Sequence, residues 1–567
     1  MHWKYRNEDS PPPEVTTHWA DQLEISPLLA RYLWQRGLQS LEEMRIFLNP
    51  SLQGLAPLEE WPGLHEAASI LTQGLLAGKH LCVWGDYDVD GITATSLVLD
   101  FLRQHGFSAT YHIPDRLREG YGLNPGSIEK LAADGVNMLL TVDCGISDVD
   151  VVEHAKSLGM TVVISDHHLP AETLPPACGL VNPRVADCPC PSLAGVGVAF
   201  LLMAAVNTLL HQAGRDKVDI RPLLDLVALG TLADVVDLNG QNRILVKNGL
   251  LVIAEGRRPG LAALKAACNF APSASLGAGQ VVFTIAPRIN AAGRLGSSNT
   301  AVELLLCKDR LAASDLAAQL SRLNAKRREE EDEILQQAIV QAQEQVDRGA
   351  LGLVVHDAAW HPGIIGIVAS RLVEQFHRPT VVLAGDGVIL KGSGRSVRGF
   401  HMHEAFTKCS DLFTAYGGHK MAAGLSLPLA NLPEFRQRFD SLAATALTGG
   451  PVPEECRIDM DLAFAEADFQ LLKELEMLQP FGMGNAEPVF ASPPVRVKNM
   501  RPRPGFLILE LEDEQSRRSL TAKAWRQMAD MPTSLKGQKI RIAYTPRIDR
   551  YNGAATVELR IKDWQRV

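Results

Sequence analysis

The chain has 567 residues, of which 46% are hydrophobic and 21% charged, a composition typical of folded globular proteins and not of disordered ones. At roughly 150 residues per domain, this length predicts three or four domains. The net charge of −9 is unevenly distributed, because residues 496–567 carry 16 Lys and Arg against 8 Asp and Glu, a local balance of +8. A basic terminal module on an acidic body is typical of nucleic-acid binding, although a solvated basic face without a partner has the same composition.

The chain also shows no sign of a membrane or secreted protein. We find no apolar run near the roughly 20 residues that span a bilayer, and the N-terminus lacks the apolar core of a signal peptide. Nine cysteines without paired CxxC motifs favour a reducing cytoplasm. The isolated CxC of Cys188 and Cys190 is interpreted as two loop cysteines and not as metal ligands.

In chain order, residues 1–50 contain several prolines and predict a small helical lead-in. From Leu81 onward, short apolar strands that each end in a carboxylate alternate with helical segments, as in "LCVWGD", "MLLTVDCG" and "TVVISDHH". Buried strands alternating with helices predict a parallel α/β sheet over a first domain, residues 51–305. Ligands of such sheets bind outside the carboxyl ends of the strands, where these acidic residues fall.

The most acidic of these strand ends is "DYDVDG", with Asp86, Asp88 and Asp90 at every second position. Alternation predicts that all three lie on one face of an extended chain. There they would repel one another unless water or a cation intervened. An acidic surface turn is the alternative interpretation of this segment alone.

The later segments predict three further elements. Residues 223–238 are a helical run that carries Asp234, and residues 311–347 lack Gly and Pro and predict one charged helix of roughly 55 Å. We interpret that helix, within 306–348, as a solvated connector whose "KRREEEDE" run is simply a solvated face. A second α/β pattern follows over 349–448, and short strands over 449–567 predict a small β-barrel. The predicted fold is therefore α/β, with two α/β lobes joined by a long helix and a terminal barrel.

The acidic strand ends together predict a metal site. Carboxylates and imidazoles that converge at one sheet edge are untenable without cations, and oxygen-rich sites with one or two imidazoles suit Mn2+ or Mg2+. One bridging carboxylate, for which Asp143 is the best candidate, could hold two ions about 4 Å apart. Such a pair clamps the attacking and leaving oxygens of a phosphoryl displacement.

The motifs "DYDVDG", "TVDCG", "SDHH" and "LGTLADVVDL" resemble, in this order, the four signature motifs of the DHH phosphoesterase superfamily. "SGRS" and "GGHKMAAG" resemble its DHH-associated domain. From about residue 50 the chain is similar to the single-strand-specific 5′→3′ DNA exonucleases of that superfamily, and the resemblance implies that the terminal barrel is an OB-fold.

The resemblance also implies residue roles. Asp143 matches a bridging metal ligand, His168 matches a histidine that faces the scissile phosphate, and Asp86 and Asp166 would orient ligands or a water. We therefore predict the catalytic residues Asp143, Asp166 and His168, and the metal ligands Asp86, Asp88, Asp90, Asp143, His167 and Asp234. The sequence departs from the superfamily pattern at Trp84, where many members have a histidine ligand, so Asp86 or water would complete the first ion.

A terminal phosphate needs fixed donors, for which the forked guanidinium is well shaped. The chain offers Arg116 and Tyr121 in "PDRLREGYG", Arg288 and Arg294 in "PRINAAGRLG", and Ser393 and Arg395 in "GSGRS", which we interpret as a loop whose glycines let the backbone approach phosphate. The resemblance implies that Arg116, Ser393 and Arg395 grip the terminal phosphate and that Arg288 and His419 lie near the substrate path. Tyr121 would stack on a nucleobase. Any one of these arginines could instead be a structural ion-pair partner, and His168 could be a histidine packed beneath the site.

The predicted function is that of a cytoplasmic, monomeric 5′→3′ exonuclease of DNA repair and recombination, which uses two Mn2+ or Mg2+ ions and releases 5′-mononucleotides by attack of a metal-activated water. Its predicted partner is single-stranded DNA, because a groove between the lobes would admit a single strand and exclude a duplex. The resemblance implies two further partners, single-strand-binding protein and a repair helicase. Two alternatives stay open at this point. One is a DHH phosphatase or oligoribonuclease acting on small phosphoesters, and the other is a catalytically silent single-strand-binding protein.

Overall fold

The structure, a computed structural model, describes residues 2–7, 11–116, 119–385, 387–451, 455–525, 531, 535–549 and 555–567. The chain forms two compact units. The smaller comprises Met1–Leu55, Asp237–Lys247 and Glu454–Val567, and the larger comprises Ala56–Val236 and Asn248–Pro453.

The first half of the larger unit is built on a five-stranded parallel sheet, which confirms the predicted α/β architecture. Its strands, in spatial order, are Thr110–His112, Leu81–Gly85, Met138–Val142, Thr161–Ser165 and Gly179–Val181. The strand Leu81–Gly85 pairs with the next strand along the chain on one side and with a later strand on the other, so the chain direction across the sheet reverses there. A reversal of this kind opens a crevice at the carboxyl ends of the strands.

Helices cover this sheet and extend beyond it. They are Leu64–Leu76, Val89–Gln104, Pro125–Ala133, Val149–Ser157, Gly195–Gln212, Leu224–Ala233, Gly240–Glu255, Pro259–Ala267, Ala278–Gln280, Ala286–Leu295 and Asn299–Leu306, with a π-helical segment at Val281–Ile285. The helix Gly240–Glu255 contributes residues to both units.

One of these helices qualifies our prediction that the chain has no apolar run near membrane-spanning length. Within the described residues, Gly195–Gln212 is long and apolar enough to cross a bilayer by length and composition, but 72% of it is buried inside the protein. It packs against Leu64–Leu76, Val89–Gln104 and Leu224–Ala233. We therefore assign it to the core.

The long helix is present at Arg310–Asp347, but it is more than a solvated connector. One face is buried and packs against helices of the first half and against strand Leu353–Asp357 and helix Ile365–Phe376 of the second half. Within the charged run that we interpreted as solvated, Arg327 and Glu331 are buried and form an ion pair of 2.6 Å. The prediction failed here because residues three or four apart lie on one face of a helix, so the packed face runs through the charged segment.

The second half of the larger unit has a mixed five-stranded sheet. Its strands, in spatial order, are Ala415–Gly418, Ala422–Pro428, Ile389–Arg395, Thr380–Ala384 and Leu353–Asp357. Its helices are Ile365–Phe376, Met402–Thr407 and Leu432–Ala446. The predicted loop that carries Ser393 and Arg395 is wrong, because both residues belong to strand Ile389–Arg395 and pair with both neighbouring strands.

The smaller unit contains the predicted terminal barrel. Strands Val495–Arg503, Phe506–Asp513, Arg518–Trp525, Thr556–Arg566 and Lys539–Asp549 each pair with the next, and the last pairs with the first, which closes a five-stranded barrel. Short strands Met460–Asp461 and Phe490–Ala491 extend it, and helix Phe469–Met477 belongs to the same unit. This closed five-stranded barrel has the architecture of an OB-fold.

The N-terminal lead-in is part of this unit, which the sequence did not predict. Its helices are Pro13–Leu23, Pro27–Gln35 and Leu41–Leu48, and their apolar residues share one core with the barrel. Strand His2–Tyr5 pairs in parallel with Glu455–Ile458. Asp459, whose side chain is 2% exposed, accepts hydrogen bonds from Arg6, Arg36 and the amide of Val489, each at 2.9 Å.

Replacing Asp459 with Ala should destabilise this unit by about 3 kcal/mol, because the two arginines would lose their buried counter-charge. Hydrogen exchange of the amides in strands His2–Tyr5 and Glu455–Ile458 under increasing urea measures the effect. Asp461→Ala is the matched control, since Asp461 forms its ion pair with Arg541 at the surface, with 67% of its side chain exposed, and such pairs contribute less than about 1 kcal/mol. Equal effects of the two changes would contradict the prediction.

Candidate functional site

The acidic residues of three motifs meet where the sheet reverses direction. Asp86, Asp143 and Asp166 each follow directly after one of three adjacent strands, Leu81–Gly85, Met138–Val142 and Thr161–Ser165. Because parallel strands end at one edge of a sheet, residues far apart in the sequence become neighbours. All three carboxylates are buried.

The first acidic segment does not run as the extended chain that its alternation predicted. Asp88 is the N-cap of helix Val89–Gln104, where its Oδ1 accepts hydrogen bonds from the amides of Asp90 at 2.8 Å and Gly91 at 3.1 Å. Asp90 is therefore in the first helical turn, a position where the helix dipole favours a negative charge. Gly91 is required here, because a Cβ would lie 2.5 Å from the backbone nitrogen of Asp86.

Asp90 is held by a second helix. Its Oδ2 accepts from the amide of Gly195 at 2.8 Å and its Oδ1 from the amide of Val196 at 2.9 Å, at the N-terminus of helix Gly195–Gln212. Burial, and next the charge of Asp88, raise the pKa of Asp90 to about 7. The site thus fixes the orientation of a carboxylate whose charge the protein alone does not fully stabilise.

Asp143 lies at the centre of the cluster. Its backbone has a φ of 61°, in the left-handed region that Asp and Asn adopt more readily than most residues. Its Oδ1 lies 3.1 Å from Nε2 of His167 and 4.0 Å from Nδ1 of His168. A Cβ on Gly195 would come within 2.5 Å of the same oxygen, so only glycine fits beside it. Burial, and next the charge of Asp90, raise the pKa of Asp143.

His167 connects Asp143 with the carboxylate that follows helix Leu224–Ala233. Its Nε2 lies 3.6 Å from Oδ2 of Asp234 and 3.9 Å from Oδ2 of Asp90. Burial, and next the charge of His168, lower the pKa of His167 to about 3, so its imidazole is neutral and has a lone pair to offer. Burial, and next the charge of Asp90, raise the pKa of Asp234 to about 9.

The cluster comprises three groups of possible metal ligands, each with ligand atoms within 4.8 Å of one another. They are Asp86, Asp88 and Asp143; Asp143, His167 and His168; and Asp90, His167 and Asp234. Asp143 and His167 each belong to two of them. All the predicted ligands are therefore brought together, and Asp143 is the carboxylate that two groups share.

The residues present fit a pair of hard divalent cations. Among the described residues, five buried atoms of this cluster have no hydrogen-bond partner, namely Oδ1 of Asp86, Oδ1 of Asp143, Nδ1 and Nε2 of His167, and Oδ2 of Asp234. An oxygen-rich set with imidazole nitrogen matches Mn2+ or Mg2+. Such ions would reverse the mutual repulsion that raises the pKa of these carboxyl groups.

His168 lies at the open side of this cluster, with 35% of its side chain exposed. Its Nδ1 is 2.8 Å from Oδ1 of Asp166, and its ring makes an edge contact with Tyr121, whose hydroxyl lies 3.1 Å from Nδ1. Burial alone would lower the pKa of His168, but the hydrogen bond to Asp166 and the charges of Asp166, Asp234 and Asp86 together outweigh burial and raise the pKa to about 9. His168 is therefore partly exposed beside the cluster, not packed beneath it.

Both carboxylate oxygens of Asp166 accept hydrogen bonds from protein groups. Its Oδ1 accepts from the amides of His167 at 2.7 Å and His168 at 3.1 Å, and its Oδ2 accepts from the amide of Ile146 at 3.0 Å. These bonds and the His168 ring outweigh burial and lower the pKa of Asp166. Its position is that of a residue which orients the two histidines.

Trp84 belongs to the core and not to the cluster. It is fully buried in strand Leu81–Gly85, and its ring packs on His112 with centroids 4.2 Å apart. One group of possible ligands contains Asp86, and completion of the first ion by Asp86 or by water stays a prediction.

Sequence reasoning missed the segment Asn182–Arg184 that supports the histidines. The buried Asn182 side chain donates to the carbonyl of His168 at 3.0 Å, and Nε of Arg184 donates to the carbonyl of His167 at 2.8 Å. Its signal in the sequence was the dipeptide Asn-Pro directly after an apolar strand, which is typical of a turn.

The predicted phosphate-binding residues come from both halves of the larger unit. Arg395 Nη1 donates to Ser393 Oγ at 3.0 Å. Burial lowers the pKa of Arg395, and the charge of Arg116 lowers it further. Helix Ile365–Phe376 begins beside them, because a Cβ on Gly366 would lie 3.1 Å from both Ser393 Oγ and Arg395 Nη2. These residues therefore surround one electropositive position.

Two further predicted residues have different surroundings. His419 lies in the turn between strands Ala415–Gly418 and Ala422–Pro428, where burial, and next the charge of His168, lower its pKa. Arg288 instead donates to Ser321 Oγ at 3.2 Å and to the carbonyls of Thr284 and Ala267. Its contacts thus join neighbouring helices.

Glu119 holds the segment that carries Arg116 and Tyr121. Its carboxylate accepts hydrogen bonds from the amide of Asp115 at 2.9 Å and from the side chains of Ser127 at 2.8 Å and Asn124 at 3.0 Å, and it lies 3.0 Å from His112. Burial alone would raise its pKa, but these bonds lower it to about 2. The predicted substrate-binding segment is thus organised by a carboxylate that the sequence analysis did not select.

Replacing Glu119 with Gln should lower the thermal unfolding midpoint and raise KM for DNA. The folded-state pKa of Glu119, about 2, lies below its ordinary value of 4.5. The stabilisation from ionised Glu119 is therefore present above that value and lost as the pH falls from about 4.5 toward 2. The midpoint difference between wild type and variant, measured by differential scanning fluorimetry, should shrink over this window. A difference that is constant with pH would contradict the assignment.

Comparison with known proteins places these features in a family context. The sequence matches the family models described as "DHH family, N-terminal domain" over residues 80–231, "DHHA1 domain" over 347–445 and "RecJ OB domain" over 458–563. It is 41% identical over 487 residues to the single-stranded-DNA-specific exonuclease RecJ of Salmonella typhimurium, and the match covers 82% of this chain and 83% of that protein.

Two solved structures of RecJ from Thermus thermophilus are similar over the whole chain. The complex with Mn2+ superposes with a TM-score of 0.85 at 32% identity and covers 100% of this chain and 80% of that one. The complex with Mg2+ gives a TM-score of 0.78 at 31% identity, with 100% of this chain and 78% of that one covered.

Proposed function

The chain belongs to the RecJ family of single-stranded-DNA-specific exonucleases, and on that premise we propose the course of its reaction. It removes 5′-mononucleotides stepwise from the 5′ end of single-stranded DNA, in DNA repair and recombination, with Mn2+ or Mg2+ as the cofactor. The observation that carries this proposal is the group of buried carboxylates and imidazoles at the reversal of the parallel sheet, with Asp143 shared between two possible ion sites.

The ions would be held by Asp86, Asp88, Asp90, Asp143, His167 and Asp234. When bound, they supply Lewis acidity that lowers the pKa of water and neutralises charge on phosphate oxygens. The protein keeps the ligands oriented, because Asp90 is fixed by the amides of Gly195 and Val196 and His167 is supported by Asp166 and Arg184.

His168 contacts the reacting phosphate from the open side of the cluster. Asp166 binds its Nδ1 and so fixes the ring, which leaves Nε2 available to donate toward the phosphoryl oxygens as negative charge develops there. Tyr121 touches the same ring, and 49% of it is exposed. This exposure supports its role as the surface on which the terminal base stacks.

The 5′→3′ polarity of cleavage follows from binding of the terminal 5′ phosphate of the strand. Arg116, Ser393 and Arg395 supply forked and hydroxyl donors for a 5′ phosphate, and the N-terminus of helix Ile365–Phe376 adds its positive dipole end. His419 lies within electrostatic range of His168 and contacts the strand between the two positions. Arg288 lies near the substrate path in this proposal, where its hydrogen bonds to Ser321 and Thr284 fix its position.

Single-stranded DNA is the binding partner, and the OB-fold supports this, since residues 496–567 carry the +8 balance of 16 basic against 8 acidic residues. Selectivity for single strands follows from a groove between the two halves of the larger unit that is too narrow for a duplex. Association with single-strand-binding protein and a repair helicase, a monomeric state and a cytoplasmic location complete the proposal. Its domain boundaries are 1–50, 51–305, 306–348, 349–448 and 449–567.

The test is incubation with 5′-phosphorylated DNA labelled at either the 5′ or the 3′ end, in single-stranded and blunt duplex form, with Mn2+. Early release of labelled mononucleotide from the 5′-labelled single strand supports the proposal. Early release from the 3′-labelled strand would refute the polarity, and equal digestion of blunt duplex would refute the groove. If the protein binds the DNA but releases no product, the alternative of a catalytically silent single-strand-binding protein is supported instead.

A further inference from the structure

One partly buried arginine of the larger unit forms no ion pair with an acidic side chain of the described residues. Arg294, in helix Ala286–Leu295, donates from Nη1 to the carbonyl of Gly363 at 2.9 Å. Across the part of the chain that the structure describes, it forms no ion pair with a carboxylate. Burial, and next the charges of Arg116, Arg327 and Arg395, lower its pKa to about 10. A partly desolvated guanidinium among other cations is unfavourable unless an anion binds beside it.

The neighbouring cations increase this demand for an anion. Arg327 is neutralised, since it pairs with Glu331 at 2.6 Å. Arg395 donates from Nη1 to Ser393 Oγ at 3.0 Å and to the carbonyl of Gly394 at 2.9 Å, which are both uncharged. Arg116 lies over the ring of Tyr87, 5.1 Å from its centroid. Within the described residues, three guanidinium groups that protein carboxylates do not neutralise therefore lie within electrostatic range of one another.

The position of Arg294 is set by the segment that begins helix Ile365–Phe376. Gly363, whose carbonyl it contacts, lies two residues before this helix, and Gly366 in the first turn packs against Ser393 and Arg395. The first amides of a helix and its dipole favour an anion at this end. Arg294 and the predicted phosphate-binding residues thus approach the same helix N-terminus.

The site is also accessible. Arg294 and Arg116 line an open cavity of about 640 Å³, whose lining also includes Ser297, Ser298 and His361 and the carboxylates of Asp115 and Glu119. A phosphate group and the sugar attached to it fit easily within this volume. The cavity therefore gives the end of a DNA strand access to both guanidinium groups, and the carboxylate of Glu119 is occupied by hydrogen bonds to its own segment.

We propose that Arg294 is the third cation of the terminal-phosphate site and determines how strongly the enzyme prefers a 5′-phosphorylated strand to one that ends in a hydroxyl. This inference rests on the proposed action at the 5′ end. A terminal phosphate carries close to two negative charges at neutral pH and three acceptor oxygens, which one guanidinium alone cannot saturate. Arg294 is held by Gly363 from one side, so its remaining N–H donors are available to that phosphate.

A purely structural role would be to join the two halves of the larger unit through Gly363. The two roles predict opposite effects on stability. If Arg294 serves only to hold Gly363, its removal destabilises the protein. If it is an unpaired cation that awaits an anion, its replacement by an apolar side chain of similar length removes an unfavourable buried charge.

The experiment compares wild type with Arg294→Met, Arg294→Lys and the control Arg221→Met. Arg221 lies in the same unit and pairs with Asp219 at the surface, with 72% of its side chain exposed. Each protein is assayed on single-stranded DNA with a 5′ phosphate and with a 5′ hydroxyl, and its thermal unfolding midpoint is measured in phosphate-free buffer and with a 5′-phosphorylated trinucleotide.

We expect Arg294→Met to reduce kcat/KM on the phosphorylated strand by about 10- to 100-fold, mainly through KM, with a distinctly smaller loss on the hydroxyl-ended strand. Its unfolding midpoint without ligand should equal or exceed that of wild type, and the upward shift caused by the phosphorylated trinucleotide should disappear. Arg294→Lys should keep part of that shift, because it keeps the charge without the fork.

Equal losses on both strands together with a lowered unfolding midpoint would overturn the inference and establish the structural role. The outcome is distinct from a failure of the proposed function, in which wild-type protein itself would release no nucleotide from the 5′ end. If wild type digests both strands at one rate and Arg294→Met does the same, the exonuclease assignment stands and the inference on Arg294 fails.

Discussion

Replacing Asp143 with Asn should reduce DNA cleavage by roughly 10⁴-fold or more while single-stranded DNA binding changes by less than about threefold. Asp143 is shared by two groups of possible ligands, and its Oδ1 lies 3.1 Å from His167 Nε2. Loss of its charge therefore affects both ion positions at once. Asn is a more informative replacement than Ala, because it also tolerates the left-handed backbone at a φ of 61°.

Three measurements check this expectation. Steady-state cleavage gives the rate loss, fluorescence anisotropy with labelled DNA gives the affinity, and calorimetric titration with Mn2+ should show a reduced number of bound ions. Asp134→Ala is the matched control, since Asp134 is an exposed carboxylate of the same domain outside the cluster. Retained cleavage by Asp143→Asn, or a loss that leaves both ions bound with unchanged affinity, would refute the shared position of Asp143.

Replacing His168 with Ala should reduce kcat by roughly 10²- to 10³-fold, with a smaller effect on KM. The ring is fixed by Asp166 at 2.8 Å and partly exposed at the open side of the cluster, a position from which it can donate to the phosphate as charge develops. Because His168 contacts substrate, and the ions have other ligands, the titration with Mn2+ should remain close to that of wild type.

The Mn2+ titration separates this role from its main alternative. His168 also belongs to one group of possible ligands, with Asp143 and His167. If His168→Ala loses Mn2+ as Asp143→Asn does, His168 is a ligand and our assignment is wrong. Tyr121→Phe is a useful comparison, since it removes only the hydroxyl that lies 3.1 Å from the same ring and should affect turnover much less.

The alternation of Asp86, Asp88 and Asp90 shows where local reasoning reached its limit. Their convergence was predicted correctly, but the geometry was not, because Asp88 caps a helix and Asp90 lies within it. Three acidic residues at every second position form too short a pattern to distinguish a strand from the start of a helix. The strand ends themselves were predictable, since apolar runs that end in a carboxylate have few other structures available to them.

The second half shows the same limit for Ser393 and Arg395. The glycines and serines of "GSGRS" predicted a loop, yet strand pairing on both sides holds this segment in a sheet. Tertiary pairing overrides local propensity in strands more readily than in helices. In the long helix, likewise, the charge run that composition alone assigned to solvent contains the buried pair of Arg327 and Glu331.

The sequence by itself determined the chemistry of this protein, because carboxylates and histidines at the ends of predicted parallel strands must meet at one edge and require cations. It also determined the parallel sheet, the long helix and the terminal barrel, which follow from hydrophobic periodicity. Only the tertiary structure decided which ligands share a position, that the N-terminal helices share a core with the barrel, and that Arg294 is partly buried without a carboxylate partner among the described residues. These are distances between segments far apart in the chain, and no local pattern specifies them.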